Sequence, residues 1–292
     1  MHRNRPARPR AASSTARGQI ASKTARAGAR FIAVLALATI VFLPVYVAVV
    51  SAFTVNGSIA RGSIFPPLST FTLNNFTEAI ASTPLLSQYS VSVAVVTLQT
   101  LGNLLTGALA AYALVFPRWR GRGVAFALVL LTLAIPGESV VIPNYELVSN
   151  LGLRNTVLGI VLPYIAAAYP IFLLRQAFAA VAPEIWEAAR LDGAGDLRAL
   201  FAIVMPVCRP QVTTAVIWSA LAAWNGFFWP LLITDTANSR TIQVGIASLA
   251  AADAGNPALI FAGSVLVVIP TALLVIFAQR FLVHGLARGV LS

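Results

Sequence analysis

Glu184, Glu187, Arg190, Asp192 and Asp196 crowd five ionisable side chains into one short stretch of a chain in which only 10% of residues are charged. Their order suits a pair of short helices better than a catalytic set. Pro183 fits a first helical position, Glu184 and Glu187 stand early where the helix dipole favours negative charge, and Arg190 stands late. Gly193 or Gly195 can take a left-handed exit, and Asp196 can cap a second helix. Leu197, Leu200, Phe201 and Val204 then recur at i, i+3, i+4 and i+7, which predicts one apolar face, with Pro206 interrupting beyond it. Ala188 and Ala189 are small enough for another surface to approach closely. Segment 183–206 therefore reads as a docking knob for a partner or as an amphipathic hairpin lying on a membrane.

The remaining polar chemistry is sparse. Gln99, Asn103 and Thr106 share roughly one helical face, suited either to hydrogen bonding a polyhydroxyl solute or to holding helices together. Trp218, Trp224, Trp229 and Asn225 offer flat rings and an amide that stack on a sugar or, for Trp224 and Trp229, anchor a helix end at the membrane interface. Glu138, beside a Pro136-Gly137 break, either lines a cavity or reaches the interface. It is the single acid within an apolar run, and His2 and His284 fall outside all of them, so no relay of buried proton carriers is present. Residues 18–24 come nearest to a phosphate-binding loop but lack its second Gly and spacing, so this chain is not expected to hydrolyse ATP. Cys208 is the lone cysteine, which excludes an internal disulfide and a cysteine-based metal site.

The elements that must position these groups lie in the gaps between charges. Uncharged apolar runs occupy 31–53, 89–116, 156–174, 211–234 and 257–279, and a sixth run, 124–143, is interrupted at Pro136 and Glu138. Each approaches the roughly 20 helical residues that cross a hydrocarbon core. Together they account for nearly half of a chain that is 58% hydrophobic, which predicts an all-α polytopic membrane protein with six transmembrane helices. With both termini in the cytoplasm, 17 of the 20 Lys and Arg lie inside, leaving Arg61, Arg154 and Arg240 outside. That split explains the net charge of +11 as an orientation signal near anionic lipid, with no need for nucleic acid. Residues 1–30 are rich in Arg, Ala and Ser and read as a disordered basic cytoplasmic tail in preference to a cleaved targeting segment.

The spacing Glu187-Ala188-Ala189, three residues, Gly193, nine residues, then Ile203-Val204-Met205-Pro206 resembles the EAA signature of permease subunits of bacterial binding-protein-dependent ABC importers. Met205 stands where that pattern usually has Leu. Further stretches resemble the carbohydrate-uptake branch, in the order Leu73-Asn-Asn-Phe76, Leu109-Ala-Ala-Tyr-Ala-Leu114, Ile142-Pro-Asn-Tyr145, Leu151-Gly-Leu-Arg-Asn-Thr156, Trp224-Asn-Gly-Phe-Phe-Trp-Pro230 and Gly285-Leu-Ala-Arg-Gly289. The likeness is to the second permease of maltose, multiple-sugar and glycerol-phosphate systems. It implies the type I ABC importer permease fold over residues 31–292, in the bacterial plasma membrane, with 183–206 as the coupling loop. It implies as partners a second permease subunit, an ATPase dimer and an extracytoplasmic solute-binding protein, with ATP and Mg held by the ATPase and no cofactor on this chain. Glu187, Ala188, Ala189 and Gly193 are then the first candidates for ATPase coupling, followed by Glu184, Arg190, Asp192, Asp196, Ile203 and Pro206. The resemblance implies import of a sugar or oligosaccharide; the alternatives are a permease of the same architecture for glycerol phosphate, a polyamine or an osmolyte and, from a different class, a self-contained secondary carrier.

Overall fold

A computed structural model of the chain describes residues 12–55, 64–252 and 256–289. The described residues contain helices and no strand, with an isolated antiparallel bridge between Thr54 and Phe71. The first helix, α1, runs over Ala12–Ala52, followed by a short α2, Asn74–Ser82, and a long α3, Leu85–Val115. Residues 12–30 are therefore helical, where a disordered tail was expected; residues 1–11 lie outside the described residues. Six alanines with Arg17, Gln19, Lys23, Arg26 and Arg30, and no proline between Pro9 and Pro44, carry the helix back from the apolar run across three serines, two threonines and two glycines. Asn75 of α2 is buried, and its Nδ2 donates to the carbonyls of Ala52 (2.8 Å) and Thr54 (3.0 Å), closing the end of α1.

Among the described residues three helices are long and apolar enough to cross a membrane: Gly28–Ala52 within α1, α3, and Pro257–Ile276. The remaining runs are not straight spans. Helix α4, Arg122–Thr132, and α5, Val141–Asn150, meet at 99° through the turn Gly137–Val140. Helix α6, Val157–Val161, with the turn Leu162–Tyr164, meets α7, Ala168–Ala179, at 49°. After the loop helices α8, Pro183–Leu191, and α9, Asp196–Ala199, a wide turn at Leu200–Val204 and α10, Met205–Val207, lead to a 92° bend into α11, Arg209–Trp224. Helix α12, Phe228–Ile233, follows a break after Trp224. Counting each bent pair as one span gives up to six.

Three of the breaks share one cause. Pro136 follows the end of α4 and precedes the turn into α5, and α7 and α12 each carry proline as their third residue, Pro170 and Pro230. A proline there has no N–H for the carbonyl four residues back, so the ladder cannot run through from the preceding segment. Within α1 and α14, Pro257–Gly289, Pro44 and Pro270 are carried without a break. Helix α13, Ile242–Ala252, is an element that charge gaps did not reveal, because eleven residues fall short of a span. It turns back into the bundle, burying Ile242, Val244, Ile246 and Leu249.

Helix α3 is the axis around which α4, α6, α7, α11 and α13 pack. At one end, Ala108, Ala111 and Tyr112 form a core with Leu174, Phe178, Leu200, Val204 and Cys208. At the opposite end, Leu85 packs with Trp224, Ile242, Ile246 and Val267. There a polar hub joins two loops. Asn155, at φ +59°, accepts at Oδ1 from the Asp235 amide (2.6 Å), the Thr236 amide (3.3 Å) and Ser239 Oγ (3.1 Å), while Arg154 pairs with Asp235. Thr156 caps α6 by accepting from the Gly159 amide. A Cβ on Gly159 would sit 2.1 Å from the Leu153 carbonyl oxygen, so the backbones can meet here only at glycine. Gly159→Ala is expected to cost about 1–3 kcal/mol, read as a lower thermal midpoint of detergent-purified protein. Gly137→Ala, which meets open space, should leave the midpoint in place.

Candidate functional site

Two features meet on α3: the loop 183–207 at one end and a cavity near the middle. Helix α8 begins with Pro183 and ends in a Schellman turn, with the Ala194 amide bonded to the Ala189 carbonyl (3.0 Å) and the Gly193 amide to that of Arg190 (3.1 Å). Gly193 takes φ +76°, so it is the left-handed exit, and Gly195 is the extended residue before α9. Asp196 does not cap α9. Its Oδ1 accepts from Arg190 Nη1 (2.6 Å) and from the Tyr112 hydroxyl (3.1 Å), and it stands as the first helical residue behind Gly195.

The expected apolar face of the second loop helix is split. Leu200 and Val204 are buried with Ala199 and Cys208 against α3 and α7, whereas Leu197 is 64% and Phe201 44% exposed. The wide turn at Leu200–Val204 is the reason: the Met205 amide reaches back to the Leu200 carbonyl and re-phases the helix. The same loosened ladder takes Pro206 into the helix, and the bend falls at Cys208 instead. Ala189 is buried against its own chain, since successive helical residues point about 100° apart, and Ala188 alone of the pair faces outward. The outward surface thus comprises Glu184, Ile185, Ala188, Leu191, Leu197 and Phe201, with Leu191 90% exposed. Asp192 is exposed at the turn; Ile203 and Pro206 are half-buried. Beside the loop lies a recess of about 660 Å³ with Arg118 and Arg122 on one wall and Trp186, Glu187 and Arg190 on another.

The mid-bundle cavity measures about 310 Å³ and is lined by Gln99, Asn103, Tyr164, Trp218, Phe227 and Trp229 among smaller residues, none of them charged. Asn103 is 1% exposed and its Oδ1 has no protein partner. Tyr169 packs on Trp218 at 4.6 Å between ring centres, and Trp229 Nε1 donates to the Ile160 carbonyl (3.2 Å), so both indoles are fixed. Other sequence candidates lie elsewhere. Thr106 donates to the Gly102 carbonyl and to Ile165 of the neighbouring segment, the role of a helix tie. Asn225 is exposed and turns its Nδ2 back to the Leu221 carbonyl, closing α11. Glu138 is exposed at the 99° bend and does not line the cavity. Trp224 and Trp229 are buried in the bundle and not at an interface, because α13 and the 151–164 segment cover them. Tyr112, Tyr164 and Asn155 escaped notice in the sequence; the signal for each was a polar group in a quoted apolar or loop stretch.

The described residues thus form a helical bundle with helices long and apolar enough to cross a membrane, a two-helix loop at one end of the central helix and an uncharged cavity midway along it. The chain belongs to the family of binding-protein-dependent transport system inner membrane components, whose profile matches residues 103–288. It is 32% identical over 261 residues to the arabinooligosaccharides transport system permease protein AraQ of Halalkalibacterium halodurans, covering 87% of this chain and 92% of the relative. It is 30% identical over 281 residues to the sn-glycerol-3-phosphate transport system permease protein UgpE of Agrobacterium fabrum, covering 90% and 96%. Its fold matches that of a chain in a bacterial ABC transporter involved in import of the acidic polysaccharide alginate, at a TM-score of 0.78 and 22% identity over 89% of this chain and 97% of that one. A second match, at TM-score 0.63 and 15% identity over 88% and 95%, is a bacterial alginate ABC transporter in complex with an alginate pentasaccharide-bound periplasmic protein.

The positive φ of Gly193 sets a prediction. Gly193→Ala should destabilise the loop by roughly 1–2 kcal/mol, read as faster tryptic cleavage at Arg190 and Arg198 in purified protein. Gly195→Ala, at an ordinary φ of −68° and with open space around it, should leave the cleavage rate unchanged.

Proposed function

We propose that this chain is one permease subunit of an importer for a neutral sugar or oligosaccharide, powered by ATP hydrolysed on a separate ATPase dimer. The observation that carries the substrate class is the cavity: fixed indole and phenol rings beside two amides, with no charged group in its wall. Aromatic faces stack on the C–H faces of sugars, and amides pair with hydroxyls. Trp218, Gln99 and Asn103 are the groups of this chain that touch the solute. Glycerol phosphate is the second reading, favoured by the UgpE relatives; it calls for a cationic site, which this wall lacks.

The loop 183–207 is the surface on which the ATPase docks. Its exposed Leu191, Leu197 and Phe201, rimmed by Glu184 and Glu187, form an apolar ledge with acidic edges, suited to a groove with basic or polar rims. Gly193 and the Arg190–Asp196 pair keep that ledge in one shape. The partners are a second permease subunit, the ATPase dimer carrying ATP and Mg, and an extracytoplasmic solute-binding protein. This chain supplies no ATP site of its own. The loop end carries Arg118, Arg120, Arg122, Arg175, Arg190, Arg198 and Arg209 on or beside its loops, against Arg154 and Arg240 at the other, a bias that supports a cytoplasmic loop and cytoplasmic termini in a bacterial cell.

Two measurements test this reading. Expressed with its chromosomal neighbours, the tagged chain should retain an ATPase subunit in mild detergent, and Glu187→Lys with Gly193→Arg should lose it while remaining folded. Failure of the native chain to retain any ATPase would return the secondary-carrier reading. In uptake assays with labelled neutral oligosaccharides and sn-glycerol 3-phosphate, the neutral class should enter, and Trp218→Ala should lower uptake about tenfold, the equivalent of about 1.4 kcal/mol. Entry of glycerol phosphate alone would contradict the substrate class.

A further inference from the structure

One hydroxyl group joins both loop helices to the axial helix. Tyr112, three residues before the end of α3, is only 6% exposed, and its oxygen accepts from Trp186 Nε1 of α8 (3.2 Å) and donates to Asp196 Oδ1 of α9 (3.1 Å). Asp196 in turn holds Arg190, whose guanidinium lies over the Trp186 ring at 5.4 Å. Phe116 stacks on Trp186 (5.6 Å, 18°) and leans on Tyr112 (5.0 Å) and Phe178 of α7 (6.5 Å). Most other contact between loop and bundle is apolar, made by Ala199, Leu200 and Val204, and apolar contacts are non-directional. The Tyr112 hydroxyl is directional on both sides, donor to one helix and acceptor from the other.

The helix it belongs to runs from the loop end past the cavity to the far end of the bundle. From Leu85 to Val115 the ladder of α3 contains no proline and no break, whereas the path from α4 to α5, from α6 to α7 and from the loop into α11 is bent at each step, by 99°, 49° and 92°. Asn103 and Gln99 lie nine and thirteen residues before Tyr112, about 14 and 20 Å along a rigid helix. At its far end α3 is tied again, with Ser87 donating to the Asn238 carbonyl and Ser92 Oγ accepting from the Ile242 amide.

We propose that Tyr112 is a positioning residue that locks the loop 183–207 to α3, so that movement of the docked loop becomes rigid movement of the Gln99 and Asn103 wall of the cavity. This deepens the permease reading above and rests on it. An apolar seam alone would let the loop slide; two directed hydrogen bonds from one buried oxygen make loop and helix a single lever.

The test uses the whole assembly with its ATPase. Gln99→Cys serves as a reporter, and the native Cys208, being buried, stays in place. The rate at which a charged methanethiosulfonate modifies Cys at position 99 is measured with and without trapping by Mg-ATP and vanadate. With Tyr112 present, trapping should change that rate by about fivefold or more. Tyr112→Phe, which removes only the hydroxyl, should retain the ATPase and abolish most of the response; Trp186→Phe should do the same, and the pair together should add nothing. A full response in Tyr112→Phe overturns the lever while leaving the permease reading intact. Loss of the ATPase from Tyr112→Phe also overturns it, marking a structural tie. A parent assembly without ATPase overturns the permease reading and the lever with it.

Discussion

The uninterrupted hydrogen-bond ladder of α3 is the constraint on which the remaining structure depends. In a bilayer every backbone amide and carbonyl must find its partner within the protein, so an interrupted helix survives only where the bundle or a cavity surrounds the break. Three prolines impose such breaks around α3: Pro136 ahead of the turn into α5, and Pro170 and Pro230 as the third residues of α7 and α12. The bundle meets them by packing the broken segments on one straight helix that needs no help. Two of the breaks sit next to the cavity, with Ala167 and Gly226–Phe227 in its lining, so the same local chemistry that bends the chain also opens the space.

The loop end and the cavity then share one unbroken helix. The loop is stiff because its turn is fixed by a left-handed glycine and its two helices are pinned by an ion pair and a buried phenol. The ion pair is half-exposed and contributes little stability. Its value lies in geometry. The ledge it maintains is apolar on a surface that is otherwise charged, as an interface with a second protein requires.

Much of this was legible in the sequence, and the misses have physical causes. Charge gaps located the apolar runs because burying an unpaired charge in hydrocarbon is costly. They could not show that 124–143 bends by 99°, nor that Ile242–Ala252 re-enters the bundle, since length and hydropathy carry no direction. Proline and dipole rules placed the first loop helix and left Gly193 or Gly195 as its exit; the structure selects Gly193, and Asp196, expected to cap the second helix, accepts from Arg190 and Tyr112 instead. The period of 3.6 failed at Leu197 and Phe201 because the wide turn at Leu200–Val204 alters the phase, and nothing in Leu-Phe-Ala-Ile-Val announces such a turn. Gln99, Asn103 and Trp218 do line one cavity, while Asn225 and Glu138 do not, because their side chains sit at helix ends and not on an inward face. Tyr112 and Asn155 stood inside stretches that had drawn attention as patterns; their importance lies in partners 74 and 80 residues away, which spacing along a chain cannot reveal.

The central claim is that the outward ledge of the loop is covered by the ATPase in the working assembly. The direct measurement places a cysteine at Leu197, the residue at the middle of that ledge, and follows its reaction with a maleimide in the isolated permease and in the complete assembly. The account predicts ready labelling of the isolated chain and a rate about tenfold lower or less in the assembly, as expected for a site excluded from water at an interface core. Equal labelling in both states, with the ATPase present, would contradict it.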